Sequence, residues 1–501
     1  MSTTVTVPAN ASSHSIDDRL SSAIQTVSRF ASPAPTGNPY VEDVFEPVYE
    51  EVNAGELQVI GELPADLNGM LVRNGPNPLF PTGANYHLFD GDGMLHGVRL
   101  QDGRASYANR FVRTASLARE VSSGRSYGIG MRDGVRALTR LAVDTLANRG
   151  ADISNKANTS VVWHNNKLLA LWEAGLPHEI RPEASSTVGP YDFDRAWLHA
   201  VRAHPKVDAA TSEMLLFGYT FLPSSIQYGV LSRNGQLLHS TSVRLPRAVM
   251  MHDFAITRNY TIFLDLPLTI SAARPLLGRP MISYRPECGA RFGILPRYAK
   301  GSGIKWFDVD PCYVFHVLNA FEQGDEVVVY GCRFPQAPRI MGPDKPARDR
   351  LQLDAVMYCW RFNRRTGEVH EGPIDDLPVE FPRVDDMLIG SDARYGYATS
   401  FSLERATLAK YDLDRHASQL HELGSGCVAG EGVFVEREDR RAEDEGYLLA
   451  FVHDKREERS ELRVIDCRNF DGPPVARVLM PRRVPAGFHA TWVPGTGLSR
   501  I

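Results

Sequence analysis

The chain has 501 residues, of which 43% are hydrophobic and 23% are charged, and its formal net charge is −5 at pH 7. This balance is typical of a globular protein and excludes the basic surface that nucleic-acid binding requires. The six cysteines form no CxxC pair, so we expect reduced thiols in an intracellular, cytoplasmic protein. No feature of the sequence indicates an obligate protein partner. No apolar run approaches the ~20 residues that span a bilayer, and the first residues lack the pattern of a secretory signal. A plastid location stays open for a eukaryotic source, although no Lys or Arg precedes Arg19 as a transit peptide would require.

Residues 1–39 are predicted to form an N-terminal tail that contains one amphipathic helix. Apolar residues recur there at helical spacing, namely Ile16, Leu20, Ile24, Val27 and Phe30. Ser15 and Asp18 resemble a capping box, so we expect the helix at about 15–31. Two functions are open for this helix: docking on the body of the protein, or lying on a membrane surface. The Pro-rich stretch 32–39 would serve as a linker.

The body, 40–501, is predicted to be a single all-β domain. Apolar strands alternate with polar turns in seven hairpin units, at 97–111, 168–193, 202–221, 227–243, 357–370, 409–423 and 463–480. About 460 residues are too many for one β-sandwich, whereas seven blades of roughly 60–70 residues fit the length. The pattern therefore predicts a seven-bladed β-propeller.

Two segments break the β pattern, and we interpret them as parts of cap insertions near 115–155 and 264–300. Residues 134–150 have an apolar helical face beside several arginines, and 264–284 are rich in leucine but interrupted by three prolines. Basic residues beside an apolar patch are typical of a membrane interface. Ordinary core packing explains both segments equally well, so the two interpretations stay open.

Four of the 15 histidines lie in short, apolar, strand-like contexts, namely His204, His252, His316 and His489. Their spacings of 48, 64 and 173 residues are too large for one helix or hairpin to bring them together. A single histidine in an apolar strand is more often a core residue than a ligand. Only as a set, in a closed and radially repeating fold, would the four converge on one axis.

The segments around these histidines form a series with a fixed order. They are Asn74-Gly75-Pro76-Asn77-Pro78, Phe89-Asp90-Gly91-Asp92-Gly93-Met94, Ala203-His204-Pro205-Lys206, Met251-His252-Asp253-Phe254, Phe315-His316-Val317-Leu318-Asn319, Glu380-Phe381-Pro382-Arg383 and Gly487-Phe488-His489. This series covers about residues 40–495 and resembles the signature segments of the carotenoid cleavage oxygenases. The resemblance implies that the four histidines bind a non-haem Fe²⁺ on the axis of a seven-bladed propeller, beneath a helical and loop cap.

The resemblance also implies three carboxylates, Glu173, Glu380 and Glu431, that accept hydrogen bonds from the metal-binding imidazoles. Such partners fix the tautomer and orientation of a ligand histidine. Glu431 departs from the family pattern, because Gly432 follows it where the family often has proline. Thr159 resembles the family residue that crowds one open iron position and leaves a single place for O2.

The chemistry implied is the insertion of both atoms of O2 across a conjugated C=C bond of a carotenoid or apocarotenoid, which gives two aldehydes and needs no electron-donating co-substrate. We find no nucleotide, flavin or haem motif. An aromatic tunnel would bind the apolar polyene, and the candidates are Phe89, Phe111, Trp172, Phe254, Phe315 and Phe321. Since a polyene resides in membranes, we expect peripheral contact with a membrane surface.

Three alternatives stay open. A stilbene-cleaving enzyme would use the same iron chemistry, but that branch recognises the phenol with a tyrosine and a lysine. This chain has Phe111 and Trp172 at those places. A propeller that only binds apocarotenoid is disfavoured by the presence of all four histidines, and an isomerase is compatible with the same residues. The sequence leaves open which bond is cleaved, and whether one cut or two are made.

Overall fold

The computed structural model describes residues 20–27, 37–80, 82, 86–126, 154–183, 185–197, 199–221, 223–271, 273–336, 353–400 and 406–498. Within these residues there are 33 strands, two α-helices and nine short 3₁₀ helices. The predicted segment 134–150 and the predicted cap of the N-terminal helix at Ser15 lie outside the described residues. No helix in the described part of the chain is long and apolar enough to cross a bilayer.

The strands of the first half are β1 (Asn53–Ala54), β2 (Val59–Gly61), β3 (Gly69–Pro76), β4 (Gly93–Gln101), β5 (Arg104–Phe111), β6 (Ser160–His164), β7 (Lys167–Leu171), β8 (His178–Arg181), β9 (Ser186–Pro190), β10 (Lys206–Val207), β11 (Met214–Phe221), β12 (Ser224–Leu231) and β13 (Leu237–Arg244). Then come β14 (Ala255–Ile256), β15 (Tyr260–Asp265), β16 (Leu268–Ile270), β17 (Ile282–Tyr284), β18 (Ala290–Pro296), β19 (Lys305–Val309), β20 (Tyr313–Gln323), β21 (Glu326–Phe334), β22 (Val356–Asn363) and β23 (Val369–Pro378). The last are β24 (Glu380–Arg383), β25 (Tyr395–Ser400), β26 (Thr407–Asp412), β27 (Ala417–Glu422), β28 (Cys427–Ala429), β29 (Val433–Glu436), β30 (Gly446–Asp454), β31 (Arg459–Asp466), β32 (Ala476–Leu479) and β33 (Ala490–Pro494).

These strands form seven antiparallel sheets, which are the blades of the propeller, and one small separate hairpin, β16–β17. Blade 1 has the order β33-β3-β4-β5-β1, blade 2 is β6-β7-β8-β9, blade 3 is β10-β11-β12-β13, and blade 4 is β14-β15-β18-β19. Blade 5 is β20-β21-β22-β23, blade 6 is β24-β25-β26-β27, and blade 7 combines β28 and β29 with β30, β31, β32 and β2. The predicted seven-bladed β-propeller is confirmed.

Pairing between the two ends of the chain closes the ring. The strand β33 pairs with β3 in blade 1, and β2 pairs with β32 in blade 7. Blades 1 and 7 each contain strands from both ends of the chain, so these two joins hold the ring of blades closed.

The core is divided among the gaps between neighbouring blades. In β7, Leu168 and Ala170 pack against blade 1, whereas Leu169 and Leu171 pack against blade 3. Successive side chains of a strand point to opposite faces, so a strand buried on both faces is a continuous apolar run. The hairpin tips follow turn chemistry: Asp102 and Gly103, between β4 and β5, have φ values of 50° and 71°, as a type I′ turn requires.

The correspondence between predicted hairpin units and blades is partly wrong. The units at 202–221 and 227–243 both belong to blade 3, and blade 4 contains none of the predicted units. Blade 4 was missed because β15 and β18 are joined by an insertion, 266–289, rather than by a short turn. That insertion is shorter than the predicted 264–300, since β18 already returns to the blade.

The two α-helices, α1 (20–27) and α2 (Ala115–Ser123), pack together beside blade 1. Ile24 is buried in a cluster with Phe111 and Leu117, and Leu20 and Val27 pack against it. The apolar face of α1 is therefore covered by the body, which favours docking over a membrane-surface function. The 3₁₀ helices are Pro39–Val41, Asp43–Phe45, Leu88–Asp90, Pro275–Leu277, Pro286–Cys288, Gly301–Gly303, Asp386–Leu388, Cys467–Asn469 and Gly495–Gly497.

Candidate metal centre

Each blade places one polar residue within its innermost strand or a few residues before it. In blade order these are His489, Thr159, His204, His252, His316, Glu380 and Glu431. Neighbouring inner strands contact one another around the ring, as β33 does with β6 and β20 with β24. The seven residues therefore surround one end of the propeller axis.

Four of the seven are the predicted histidines, and their rings converge. One ring nitrogen from each of the four lies within 4.8 Å of the others. The Nε2 atoms of His204 and His252 are 3.0 Å apart, and those of His252 and His316 are 3.2 Å apart. Two ligand nitrogens at a right angle, each about 2.1 Å from one metal ion, would be separated by about 3 Å. The donor set and its spacing thus fit a single ion held by imidazoles.

Carboxylates hold the opposite side of two of these rings. The Nδ1 of His316 is 2.5 Å from Glu380 Oε2, and the Nδ1 of His489 is 2.9 Å from Glu431 Oε1. Because the carboxylate accepts the Nδ1 proton, the Nε2 lone pair is left free to bind a metal. Both carboxylate side chains are only 2% exposed, so the orientation of each ring is fixed within the core.

The third predicted carboxylate, Glu173, makes a looser contact. Its Oε1 lies 3.2 Å from the Nδ1 of His252, which is within ion-pair distance but is not aligned as a hydrogen bond. The Arg202 guanidinium contacts the other oxygen of Glu173. In the described part of the chain no carboxylate lies within ion-pair distance of His204, so one of the four rings is oriented without such a partner.

Electrostatics around the site keeps the carboxylates Glu173 and Glu431 ionised and favours the neutral form of His204 and His489, but it favours the protonated form of His316. Burial alone would raise the pKa of Glu173, but Arg202 and His252 outweigh it and lower that pKa to about 2. Burial and the neighbouring imidazoles lower the pKa of His204, and burial lowers the pKa of His489. The pKa of His316 is raised, since the Glu380 carboxylate outweighs the effect of burial. A neutral imidazole is the form that binds a metal.

Arginine and aspartate residues tie the inner strands together next to the centre. Arg383 donates to Glu431 at 3.0 Å and to the carbonyl of Ala490 at 2.8 Å, and so connects blades 6, 7 and 1. Arg383 also outweighs the effect of burial on Glu431 and lowers its pKa to about 2. On the other side, Asp253 accepts from the Val317 N–H at 2.9 Å.

Thr159 is connected to these residues through hydrogen bonds of its backbone and its hydroxyl. Its N–H donates to the Leu171 carbonyl at 3.0 Å, and its own carbonyl accepts from the His489 N–H at 3.4 Å. Its hydroxyl donates to Asn158 Oδ1. These bonds place Thr159 beside Trp172 and Glu173 at the end of β7. Crowding of a metal position by Thr159 stays a prediction.

Aromatic rings surround the histidines on the side of the cap. Phe315 lies 5.1 Å from the His252 ring. Phe381 stacks on His316 at 5.5 Å and lies 5.4 Å from His489. Phe89 packs edge-on against Phe488, the residue before His489, at 5.5 Å.

Three of the predicted tunnel residues lie elsewhere. Phe111 is 1% exposed within the cluster beneath α1 and α2, and Phe254 is fully buried between blades 3 and 4. Phe321 lies five residues beyond His316 along β20, away from the cap, and stacks on Tyr330. Each is a core residue, because each packs among apolar side chains of a buried cluster.

Several contributors were not assigned a function from the sequence. Arg202 is two residues before His204 and Arg383 is three residues after Glu380, so their nearness in sequence was an available signal. Phe381 directly follows Glu380, so the same signal was available for it. Its φ of 53° is unusual for an aromatic residue, and it occurs where the pairing of β24 with β25 shifts register. That irregularity brings the Phe381 ring onto two histidines.

Comparison with known proteins agrees with this geometry. The family model described as RPE65, retinal pigment epithelial membrane protein, matches residues 45–494. A carotenoid 9,10(9',10')-cleavage dioxygenase of Phaseolus vulgaris is 39% identical over 484 residues, covering 91% of this chain and 89% of the relative. A lignostilbene dioxygenase from Pseudomonas brassicacearum superposes with a TM-score of 0.81 at 30% identity, covering 93% and 100% of the two chains. A variant of the Synechocystis apocarotenoid oxygenase superposes with a TM-score of 0.79 at 26% identity, covering 90% and 98%.

The fold and the four-histidine centre define a metal-dependent propeller oxygenase. The chain belongs to the RPE65/carotenoid cleavage oxygenase family, and the predicted resemblance is confirmed.

Replacing Glu431 with glutamine tests whether this residue orients His489 despite the glycine that follows it. A glycine fits at position 432, whereas the Cβ of any other residue there would lie only 2.9 Å from the Leu448 side chain. We expect the affinity for Fe²⁺ or Co²⁺ to fall about 10- to 100-fold, since loss of a carboxylate partner of a ligand histidine has that effect. Isothermal titration of the metal-free chain measures it. Glu457→Gln, an exposed site, is the control, and equal affinities in the two variants would contradict the assignment.

Proposed function

We propose that this chain is a dioxygenase that cleaves a conjugated C=C bond of a carotenoid or apocarotenoid with O2, using Fe²⁺ held by His204, His252, His316 and His489. The observation that carries the proposal is the convergence of four imidazole nitrogens within 4.8 Å. When bound, the iron supplies activation of O2, and both oxygen atoms end in the two carbonyl products. This reaction balances its own electrons, so no further reductant is required.

The chain's residues prepare the centre for that chemistry. Four neutral imidazoles leave the full charge of a divalent ion uncompensated in their own shell. Glu380 and Glu431 lie directly behind two of the rings, and Glu173 lies behind a third. Arg202 and Arg383 keep two of these carboxylates ionised and fixed. We propose that Thr159 limits access to the metal to one small ligand beside the substrate.

The aromatic rings at the cap end give the centre an apolar approach. We propose that Phe381, Phe315, Phe89 and Phe488 position a rigid polyene beside the metal, together with Trp172, which directly precedes Glu173. Flat aromatic faces pack well against a conjugated chain and offer it no hydrogen-bonding group. These four phenylalanines replace the part of the predicted tunnel set that lies in the core.

Cleavage of a stilbene is the second candidate, and the structural likeness to a lignostilbene dioxygenase favours it. Against it, Trp172 offers no ammonium group, and Phe111, which has no hydroxyl, is packed in the apolar cluster beneath α1 and α2. A phenol beside Trp172 would lack a polar contact that is costly to leave unmade in a buried site.

The direct test is turnover of a synthetic apocarotenal compared with that of 4-hydroxystilbene, with products identified by mass spectrometry. We expect two aldehyde products from the apocarotenal and a rate at least tenfold lower with the stilbene. His316→Ala serves as the blank for non-enzymatic oxidation. Turnover of the stilbene alone would overturn the assignment, and binding of apocarotenal without O2 consumption would identify a binding protein.

We further propose that the insertion at 266–289 contacts a membrane surface. Its 3₁₀ helix exposes Leu276 and Leu277 by 70% and 73%, and Arg279 is exposed beside them. Exposed leucines next to basic side chains favour the interface of an anionic bilayer. By strand direction the insertion lies at the same end of the propeller as His252, since β15 runs antiparallel to β14. An apolar substrate could thus pass from the bilayer to the metal along one face.

Replacing both Leu276 and Leu277 with serine should weaken binding to vesicles of phosphatidylcholine and phosphatidylglycerol at least tenfold. Burial of two leucines in the interface is worth about 3 kcal/mol in total, so the expected loss is large. Co-sedimentation with vesicles measures it. Leu238→Ser, at a site that is 51% exposed on β13, is the matched control and should bind as the parent chain does. Equal binding by all three chains would contradict a membrane function of the insertion.

A further inference from the structure

A second passage reaches the metal centre from the end of the axis opposite the cap. A cavity of about 540 Å³ is lined by His204, His316 and His489 together with residues that follow the polar residues of the centre on all seven inner strands. On β20 these are Val317 to Ala320, and on β33 they include Thr491 and Trp492. We name this cavity the axial channel.

The axial channel runs away from the cap because all seven inner strands leave the centre in the same chain direction. In blade 3 the lining continues from His204 through Lys206 to Ala209 and Ser212, in the turn before β11. In blade 4 the insertion 266–289 follows β15, which returns to the His252 end. The cap and the far mouth of the channel therefore lie at opposite ends of the propeller.

The two approaches differ in charge. The lining of the axial channel includes six carboxylates, namely Asp66, Asp253, Asp385, Asp386, Glu431 and Glu436. It includes two cations, Lys206 and Arg383, so six minus two leaves a formal charge of −4. Arg440, which contacts Asp385 and Glu436 from behind, reduces the sum to −3. The cap end, in contrast, presents phenylalanine rings to the histidines.

The free energy needed to bring in a hydrated divalent cation differs sharply between two such approaches. Moving an ion across an apolar aromatic lining removes its hydration without replacing it, which costs many kilocalories per mole. A channel whose lining carries an excess of carboxylates places charged oxygens along the path and raises the local concentration of cations. The inner end of this channel is lined by His204, His316 and His489, three members of the four-histidine cluster.

We propose that the axial channel is the entry path by which a hydrated divalent metal ion reaches the four histidines, while the apolar cap end is kept for the polyene. This inference rests on the proposed metal centre and adds the route by which the centre is filled. The acidic residues lining the channel attract the ion, and the imidazoles remove its water at the end of the path.

Ala209 allows the route to be tested without changing the centre. It is half-buried in the turn after β10 and lines the far mouth of the channel, and it belongs to neither the ligand set nor the carboxylates. We compare Ala209→Arg and Ala209→Glu, which add opposite charges at one place. Ala417→Arg, at an exposed position on the outer strand of blade 6, is the control for net charge.

The measurement is the bimolecular rate constant for Co²⁺ uptake by the full-length chain after chelation, followed by the visible absorption of bound Co²⁺. At low ionic strength we expect Ala209→Arg to bind about tenfold more slowly and Ala209→Glu severalfold faster. Salt should bring both rates towards the parent value, and Ala417→Arg should match the parent. The rate constant of either Ala209 variant tests the entry path by itself, so the test remains possible if one of the two variants does not fold.

Parent-like rates in both Ala209 variants would overturn the entry path while leaving the metal centre intact. Failure of the parent chain to bind Co²⁺ at all would instead overturn the centre, so the two claims fail in distinguishable ways.

Discussion

Replacing His316 with alanine should abolish metal binding and O2 consumption together. The His316 Nε2 lies 3.2 Å from that of His252, and its Nδ1 is 2.5 Å from Glu380. Truncation therefore removes one of four ligands and leaves a buried carboxylate without its partner. We expect the iron content to fall from about one ion per chain to a few per cent, with product formation at least 1,000-fold lower. Iron analysis and an oxygen electrode measure the two effects on the same sample.

His370→Ala is the matched control, because the His370 side chain is 64% exposed on the outer strand of blade 5. That variant should retain both iron and activity. Activity of His316→Ala close to that of the parent chain, or loss of activity with full retention of iron, would be incompatible with His316 as a ligand.

The second large effect is expected on stability, at Lys156. Its ammonium group lies 2.7 Å from Asp92 and 2.5 Å from Glu120, and all three side chains are nearly fully buried. Lys156→Met leaves two carboxylates facing each other in the core without a cation. Breaking a buried ion pair on one side costs about 3–5 kcal/mol, so we expect a loss of that size in the free energy of unfolding. Urea denaturation at pH 7 followed by fluorescence measures it.

The pH dependence of the stabilisation by Lys156 provides a second test. Burial would lower the pKa of Lys156, but Asp92 and Glu120 outweigh it and raise the pKa above its ordinary value of 10.5. A raised pKa means that the stabilisation is complete below pH 10.5 and is lost only as the pH rises through the folded value. The deficit of Lys156→Met should therefore be constant between pH 7 and 9. Lys300→Met, at an exposed site, is the control and should have the same free energy of unfolding as the parent chain. The same free energy in Lys156→Met would show that the buried cluster does not stabilise the fold.

The propeller could be predicted because its hairpins are local. The Asp102-Gly103 turn and the alternation on either side of it are readable within about 15 residues. Blade 4 was missed because its central hairpin is not local. An insertion separates β15 from β18, and only the folded chain shows that they pair. Closure by β33 and β2 joins opposite ends of the chain and leaves no local signal.

The metal centre was predictable in part because its residues lie in segments that resemble those of a known family. Four histidines at long spacings carry no geometric information, and only their order among the other family segments identified them as a set. The placement of Phe111, Phe254 and Phe321 was wrong because nearness to a motif in sequence does not say which face of a strand a side chain occupies. In β20 the register shifts on both sides of Val317, so simple alternation counted from His316 fails. The strained backbone of Phe381 and the links made by Arg383 between three blades depend on contacts that only the closed ring creates.

Diffraction at the iron absorption edge from crystals of the purified chain shows whether the four histidines hold iron. We expect one anomalous peak per chain, within bonding distance of the Nε2 atoms of His204, His252, His316 and His489. The edge position of the same crystals should be that of Fe²⁺. A peak coordinated by carboxylates elsewhere, or a centre that takes up no iron when Fe²⁺ is supplied, would contradict iron binding by these histidines.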